Sequence, residues 1–355
     1  MAGASDMSPP SELERNPAPG MAAGFAFEIR RLRTSFPGPA GPIAIVDDVS
    51  LSVRPGEILA VVGESGSGKS MTFLSALGLV PRPGRVESGA VLVGERDLIG
   101  LAPDQLRACR GSVVSMIFQD PLSGLNPVFS VGEQIVEVIR AHRSVSRADA
   151  TAQAIELLER MQIPDARRRF GHFPHQFSGG MCQRVLIAMA IALGPKVLIA
   201  DEPTTALDVT VQAQVLDLID SLRRETGMAV VLITHDLGIV ARHADRVAVM
   251  YAGRIVEQGD VGTVFHHPQH PYTVSLLRSI PRLDAPADTD LVPITGQPPA
   301  PGSIGAGCSF APRCYLAQGR RECLDMRPAL QAASDAMHLS ACHFSRTIGA
   351  LETSA

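Results

Sequence analysis

The chain has 355 residues, with 32 Lys and Arg against 36 Asp and Glu, for a formal net charge of -4. That balance argues against a bulk-basic nucleic-acid binder, and no apolar run is long enough for a membrane-crossing helix. At 45% apolar and 19% charged residues, the composition is that of a globular protein with a sizeable core. Met1 to Gly20 is rich in Pro, Ser and Ala and lacks the basic-then-apolar pattern of a secretory signal. Residues 1–24 are therefore expected to be a disordered tail, and the protein is expected to stay in the cytoplasm.

From Phe25 to Val53 the pattern predicts short strands, broken by the turn-rich Pro37-Gly38-Pro39-Ala40-Gly41-Pro42. Ile58 to Val62 is a continuous apolar run; a Gly-rich turn and a helical stretch from Lys69 to Leu79 follow. Val113 to Phe118 predicts another strand. Val131 to Ala141 and Ala148 to Met161 have helical periodicity, and an Arg-rich link, including Arg167, Arg168 and Arg169, comes after Pro164. Val185 to Leu193 predicts a helix. The apolar strands Val197 to Ala200 and Ala229 to Thr234 flank a helix over Val211 to Glu225. Fully apolar strands alternating with helices predict a parallel sheet covered on both faces. Val247 to Tyr251 and Arg254 to Glu257 predict a hairpin around Ala252-Gly253. Beyond about residue 265 Pro becomes frequent, so a domain boundary is expected there.

Gly63-Glu64-Ser65-Gly66-Ser67-Gly68-Lys69-Ser70 fits GxxxxGK[ST] between a strand and a helix. Such glycines let backbone N–H groups turn inward around phosphate oxygens. Lys69 reaches the terminal phosphates, and the Ser70 hydroxyl can ligate Mg²⁺. Lys69 and Lys196 are the only lysines, so an ammonium is kept where Arg serves almost everywhere else. The strand from Val197 ends in Asp201-Glu202. Asp201 can hold Mg²⁺ through water, and Glu202 can orient or deprotonate an attacking water. Ser178-Gly179-Gly180 opens a second helix with a free N-terminus. One phosphate loop does not need two anion-seeking helix ends, which points to a nucleotide on a partner subunit.

The phosphate loop, Gln119, Ser178-Gly179-Gly180, Asp201-Glu202, Thr205-Ala206-Leu207-Asp208 and Thr234-His235-Asp236 occur in the order found in ABC transporter ATPases, which residues 25–265 resemble. The resemblance implies an α/β fold: a P-loop ATPase core with a mainly parallel sheet, an N-terminal antiparallel β part and an inserted helical subdomain at about 120–180. It also implies roles for particular residues. Gln119 would contact Mg²⁺ and water and sense a transmembrane partner. Ser178, Gly179 and Gly180 would close on the γ-phosphate held by the opposite subunit. Asp208 resembles the D-loop aspartate, His235 the γ-phosphate switch and Phe36 the aromatic that stacks on adenine. Met181 and Cys182 depart from the commoner Gln and Arg of the signature.

Gln119 to Pro127, Pro174 to Met181, His270-Pro271-Tyr272-Thr273 and Pro312-Arg313-Cys314 resemble the ATP-binding subunits of bacterial dipeptide and oligopeptide importers. The cargo is expected to be peptide, with nickel or another small solute as the alternative. A soluble ABC ATPase acting on nucleic acid or ribosomes is a weaker reading, and no nucleic-acid partner is expected. The implied partners are two permease subunits, a paralogous ATP-binding subunit and, indirectly, an extracytoplasmic solute-binding protein. The implied location is the cytoplasmic face of the cell membrane, peripherally bound.

Cys308, Cys314, Cys323 and Cys342 have spacings C-x5-C-x8-C-x18-C. Four thiolates suit Zn²⁺ or a [4Fe–4S] cluster, and His338 or His343 could replace a cysteine around zinc. The short C-x2–4-C knuckles common in zinc sites are absent here, and the resemblance also points to an iron–sulfur centre. Residues 266–345 are expected as a small Cys-rich extension and 346–355 as a flexible tail. With about 35 residues between it and the core, the centre is expected not to touch the nucleotide and to face a partner or the permease.

Overall fold

The computed structural model describes residues 24–120, 124–205, 207–279 and 293–352. The expected N-terminal tail up to residue 23, Pro121–Ser123 of the Gln119 motif, Ala206 and the final three residues lie outside these.

The chain starts with β1 (Phe27–Phe36), β2 (Ile43–Val53) and β3 (Ile58–Val62), then α1 (Lys69–Ala76), β4 (Arg85–Val93), β5 (Arg96–Asp97), α2 (Pro103–Cys109) and β6 (Val114–Ile117). A helical region follows: α3 (Val131–His142), α4 (Arg147–Arg160), α5 (Ala166–Arg169) and α6 (Gly179–Ile191). The sheet resumes with β7 (Val197–Asp201), α7 (Val209–Thr226), β8 (Ala229–Ile233), α8 (Leu237–His243), β9 (Arg246–Tyr251) and β10 (Arg254–Asp260). Last come α9 (Val261–His266), α10 (Pro271–Arg278), α11 (Arg321–Asp325), β11 (Gln331–Asp335), β12 (His338–Ser340) and α12 (Ser345–Glu352).

Two sheets form. The first is antiparallel with strand order β2-β1-β4-β5; the second has order β11-β12-β10-β9-β3-β8-β7-β6. β6, β7, β8, β3 and β9 run parallel. Every residue of β3, β7 and β8 is buried, because helices cover one face and the first sheet the other. Between the sheets, Phe27 of β1 stacks on Phe73 of α1 with ring centroids 6.4 Å apart. The parallel strands end together at the edge that carries the phosphate loop, Gln119, Glu202 and His235.

The helical region is built on amphipathic periodicity and serine caps. Ser130 accepts the N–H of Glu133 at the start of α3, and Ser146 that of Asp149 at the start of α4. Both helices bury one face, including Ile135, Ile139, Ala154 and Leu158, in the cluster shared with α6.

Residues beyond the expected boundary near 265 pack directly on the core. β12 pairs with β10 in antiparallel register, Glu257 opposite Ser340, and β11 pairs with β12. Residues after 265 thus extend the core sheet, because β10 would otherwise end it with an open edge. Phe310 is fully buried beside Tyr251 and Val249 of the core and Tyr272 of α10. The stretch expected to be a flexible tail is helical over Ser345–Glu352 and buries Ile348 beside Val274 and Leu316.

Candidate active site

The loop between β3 and α1 is shaped by glycines that no other residue can replace. Gly63 has φ +150°, and a Cβ there would lie 2.1 Å from the Met250 carbonyl oxygen. Gly68 has φ +101°, and its Cβ would meet the Ile45 carbonyl oxygen at 2.8 Å. Gly68 caps α1 without a side-chain partner, leaving the helix N–H groups to an anion. Ser65 and Gly66 are exposed at the rim.

Lys69 is buried, and its Nζ donates to the carbonyls of Gly63 at 2.7 Å and Glu64 at 3.0 Å. Burial lowers its ammonium from the usual range, with Glu202, Asp201 and Glu64 pulling the other way. Ser70 Oγ donates to Asp201 Oδ1 at 3.0 Å. Burial raises the Asp201 carboxyl against that hydrogen bond. Ser70 and Asp201 therefore present adjacent oxygens, the hard ligands that Mg²⁺ prefers.

Glu202 follows with φ +45°, a left-handed value unusual for a non-glycine residue. Its Oε2 accepts from Gln119 Nε2 at 2.9 Å and from Thr205 Oγ1 at 2.9 Å, and its Oε1 pairs with His235 Nδ1 at 3.1 Å. Burial pushes the carboxyl up, but the hydrogen bonds from Thr205 and His235 and the charge of Lys69 outweigh it. It sits below the usual carboxylate range. An ionised carboxylate held between an amide and an imidazole can order a water and accept its proton.

The structure thus gathers Lys69, Ser70, Gln119, Asp201, Glu202 and His235 at one pole. Ser178, Gly179 and Gly180 form another. Ser178 caps α6 by accepting the Met181 N–H at 3.3 Å. A Cβ on Gly180 would meet Val211 at 2.5 Å, and Gly179 faces Leu207 at 3.6 Å. Asp208 caps α7, accepting the Val211 N–H at 3.0 Å. The signature helix and the Asp208 turn are therefore packed together. The Met181 sulfur accepts from Arg169, and Cys182 is buried with its thiol on the Pro174 carbonyl. Both departures from the commoner signature point into the chain. The Phe36 ring lies against Gly84, where a Cβ would meet it at 2.5 Å.

Two residues with a part in the site were not legible beforehand. Gln134 is buried; it accepts from the Asn126 N–H at 2.8 Å and donates to the carbonyls of Asn126 and Phe129, pinning the loop after Gln119. A glutamine in a helix carries no signal that it points inward. Thr205 was quoted only as part of a motif.

The comparisons with known proteins agree with this geometry. A profile for ABC transporters matches residues 46–205, and one for the C-terminal region of oligopeptide/dipeptide transporters matches 256–323. A putative peptide import ATP-binding protein of Brucella melitensis is 50% identical over 302 residues, covering 82% of this chain and 89% of that relative. The chain belongs to the ABC transporter family. As an ABC ATPase it hydrolyses ATP with Mg²⁺. The oligopeptide transport ATP-binding protein OppD of Salmonella typhimurium is 45% identical over 90% of this chain and 94% of its own length. Among solved structures, a dimeric ATP-binding cassette in a post-hydrolysis state bound to ADP and Pi superposes with TM-score 0.60 at 26% identity, covering 66% of this ABC ATPase and 98% of that chain. Among the described residues no helix is long and apolar enough to cross a membrane.

Proposed function

We propose that this ABC ATPase energises import of di- or oligopeptides through separate permease subunits. The observation that carries the reading is the match of residues 256–323 to the C-terminal region of oligopeptide/dipeptide transporters, on the same chain as a complete nucleotide pole. Lys69 and the loop amides bind the phosphates, Ser70, Gln119 and Asp201 hold Mg²⁺, and Phe36 stacks on adenine. Glu202 accepts the proton of the attacking water, with His235 and Gln119 fixing its two oxygens.

Ser178, Gly179, Gly180 and Asp208 serve ATP on a second ATP-binding subunit, most simply a paralogue. The two permease subunits of the transporter dock beside the Gln119 segments, where Phe118, Val128 and Phe129 are exposed apolar residues and Phe129 lines a surface depression with Glu133 and Arg140. In this reading the ATPase sits peripherally on the cytoplasmic face of the membrane, and an extracytoplasmic solute-binding protein delivers cargo to the permease.

Cys308, Cys314, Cys323 and Cys342 line one closed cavity with Phe310 and Phe344. Burial raises all four thiols, Cys342 to about 12. The donor set, four thiols and no carboxylate, fits a thiophilic centre. Among the described residues no three ligating groups already stand close enough to share one ion. The preference for a [4Fe–4S] cluster over Zn²⁺ rests instead on the spacing of the cysteines, which lacks the short C-x2–4-C knuckles common in zinc sites. Such a centre supplies a structural cross-link to the extension.

The test is uptake of labelled dipeptide by cells lacking the chromosomal gene. Wild type restores uptake and Glu202→Gln does not. Restored uptake of nickel but not of dipeptide rejects the peptide reading. In a two-subunit assembly, Ser178→Arg should silence hydrolysis at the partner's phosphate loop; retained hydrolysis there rejects the trans role.

A further inference from the structure

Two motifs of the extension have no part in hydrolysis, yet both end on one residue of the phosphate loop. Tyr272, at the start of α10, accepts the backbone N–H of Glu64 at 2.8 Å. Arg313, one residue before Cys314, grips the Glu64 carboxylate with both terminal nitrogens, Nη1 to Oε2 at 2.6 Å and Nη2 to Oε1 at 2.9 Å. Such two-pronged pairing fixes direction as well as charge. The cysteine centre is expected not to touch the nucleotide, but the extension that carries it reaches the nucleotide loop through Tyr272 and Arg313. About 35 residues of intervening chain set a contour length, not a distance, and the fold turns this segment back onto the core.

Arg313 is placed with unusual care for a residue with no catalytic duty. Its side chain is only 4% exposed. Its Nε donates to the Thr295 carbonyl at 2.9 Å, and its guanidinium lies 5.8 Å from the centre of the Tyr251 ring and 5.9 Å from that of Phe310. The Glu64 hydrogen bonds raise its affinity for the proton further. Tyr251, Tyr272 and Phe310 pack in a cluster with ring centroids 4.6 to 5.3 Å apart, and Phe310 comes from the extension itself. Across the loop, the Glu64 carbonyl accepts from Lys69. Glu64 is thus held by the extension at its N–H and carboxylate, and by the phosphate-binding lysine at its carbonyl.

The chemistry of that position gives the contact a purpose. A carboxylate on the second residue of a phosphate loop is a like charge next to the anion the loop must bind. In a partly desolvated site such repulsion is weakly screened. A buried guanidinium cancels it and fixes the backbone whose amides point at the phosphates.

We propose that Arg313 is a positioning residue for ATP: together with Tyr272 it neutralises and locks Glu64, so that nucleotide affinity depends on the extension being docked. By reciprocity, bound ATP must also hold the extension in place.

The experiment measures Mg·ATP affinity of the full-length chain. Arg313→Gln should weaken binding about tenfold, a common size for coupling between two sites. Adding Glu64→Gln to that variant removes the unpaired carboxylate and should restore affinity to within about twofold of wild type. A role in folding alone would not be rescued by the second substitution. Unchanged affinity in Arg313→Gln overturns the proposal, as does a double variant that binds as weakly as the single one. If Arg313→Gln does not fold, the wild-type chain still decides: Mg·ATP should slow amide hydrogen exchange over residues 308–314, and no slowing overturns the coupling.

Discussion

The core and the extension of this ABC ATPase are held together by different means. In the core, β3, β7 and β8 are buried along their whole length, and contiguous apolar area supplies the stability. The extension has a smaller apolar set, chiefly Phe310, Val274, Leu316 and Ile348, and leans on the core through a strand pairing, an aromatic plug and two arginines, Arg313 on Glu64 and Arg327 on Asp47. A segment with too little apolar surface of its own borrows a surface to fold against.

The catalytic pole gives the largest expected effect and the sharpest separation of the two regions. Glu202→Gln should slow hydrolysis by about 10³-fold while ATP binding persists. Phosphate release in single turnovers reads the step, and hydrogen exchange over β11 and β12 should be unaltered. Exchange that rises there with this substitution would erase the distinction.

Phe310→Ala is the next largest change. Removing a fully buried ring costs about 3–5 kcal/mol, drawn here from the docking of the extension. Limited proteolysis should cut within 300–345 while the core remains protected. Equal loss of protection in β3 and β8 would mean that both regions unfold as one unit.

For the proposed four-cysteine centre, anaerobically purified wild-type protein should carry colour or stoichiometric metal and Cys314→Ser should lose it and loosen the extension, leaving the core's melting transition in place. Protein that keeps stoichiometric metal after this change would remove Cys314 from the ligand set. The smallest effect belongs to Arg147→Ala. Its pair with Glu133 is 2.7 Å long but the arginine is 66% exposed, so the loss should be within about 1 kcal/mol by chemical denaturation.

The contrast also decides what the sequence could reveal. Strand-length apolar runs announce a buried parallel sheet, and the spacing of glycines, Lys69 and Ser70 announces a phosphate loop, because each needs only local residues. β4 escaped such reading: its Glu87-Ser88-Gly89 interrupts the apolar alternation, and its partner β1 lies far back in the chain. The short helices α9 to α12 carry too few turns to show a period. The grip of Arg313 on Glu64 spans some 250 positions and leaves no local trace, since neither residue is unusual among its neighbours. Gln134 is hidden for the same reason: its partners are backbone N–H and carbonyl groups, which nearly every residue has.

The pairing of β12 with β10 bears on how the chain is made. β10 ends at Asp260 and its cover begins at His338, a gap of about 80 residues that a ribosome fills in roughly 4–16 s at ordinary elongation rates. During that interval the nascent core has an unpaired edge facing solvent, able to add a strand from any neighbouring chain. Glu257 on β10, which in the finished protein meets His338 at 2.7 Å in full burial, stands on that edge as a charge until its partner emerges. An inward-facing carboxylate is costly in a foreign strand pairing, so a charge at the position of Glu257 would disfavour such pairing while the sheet is half made.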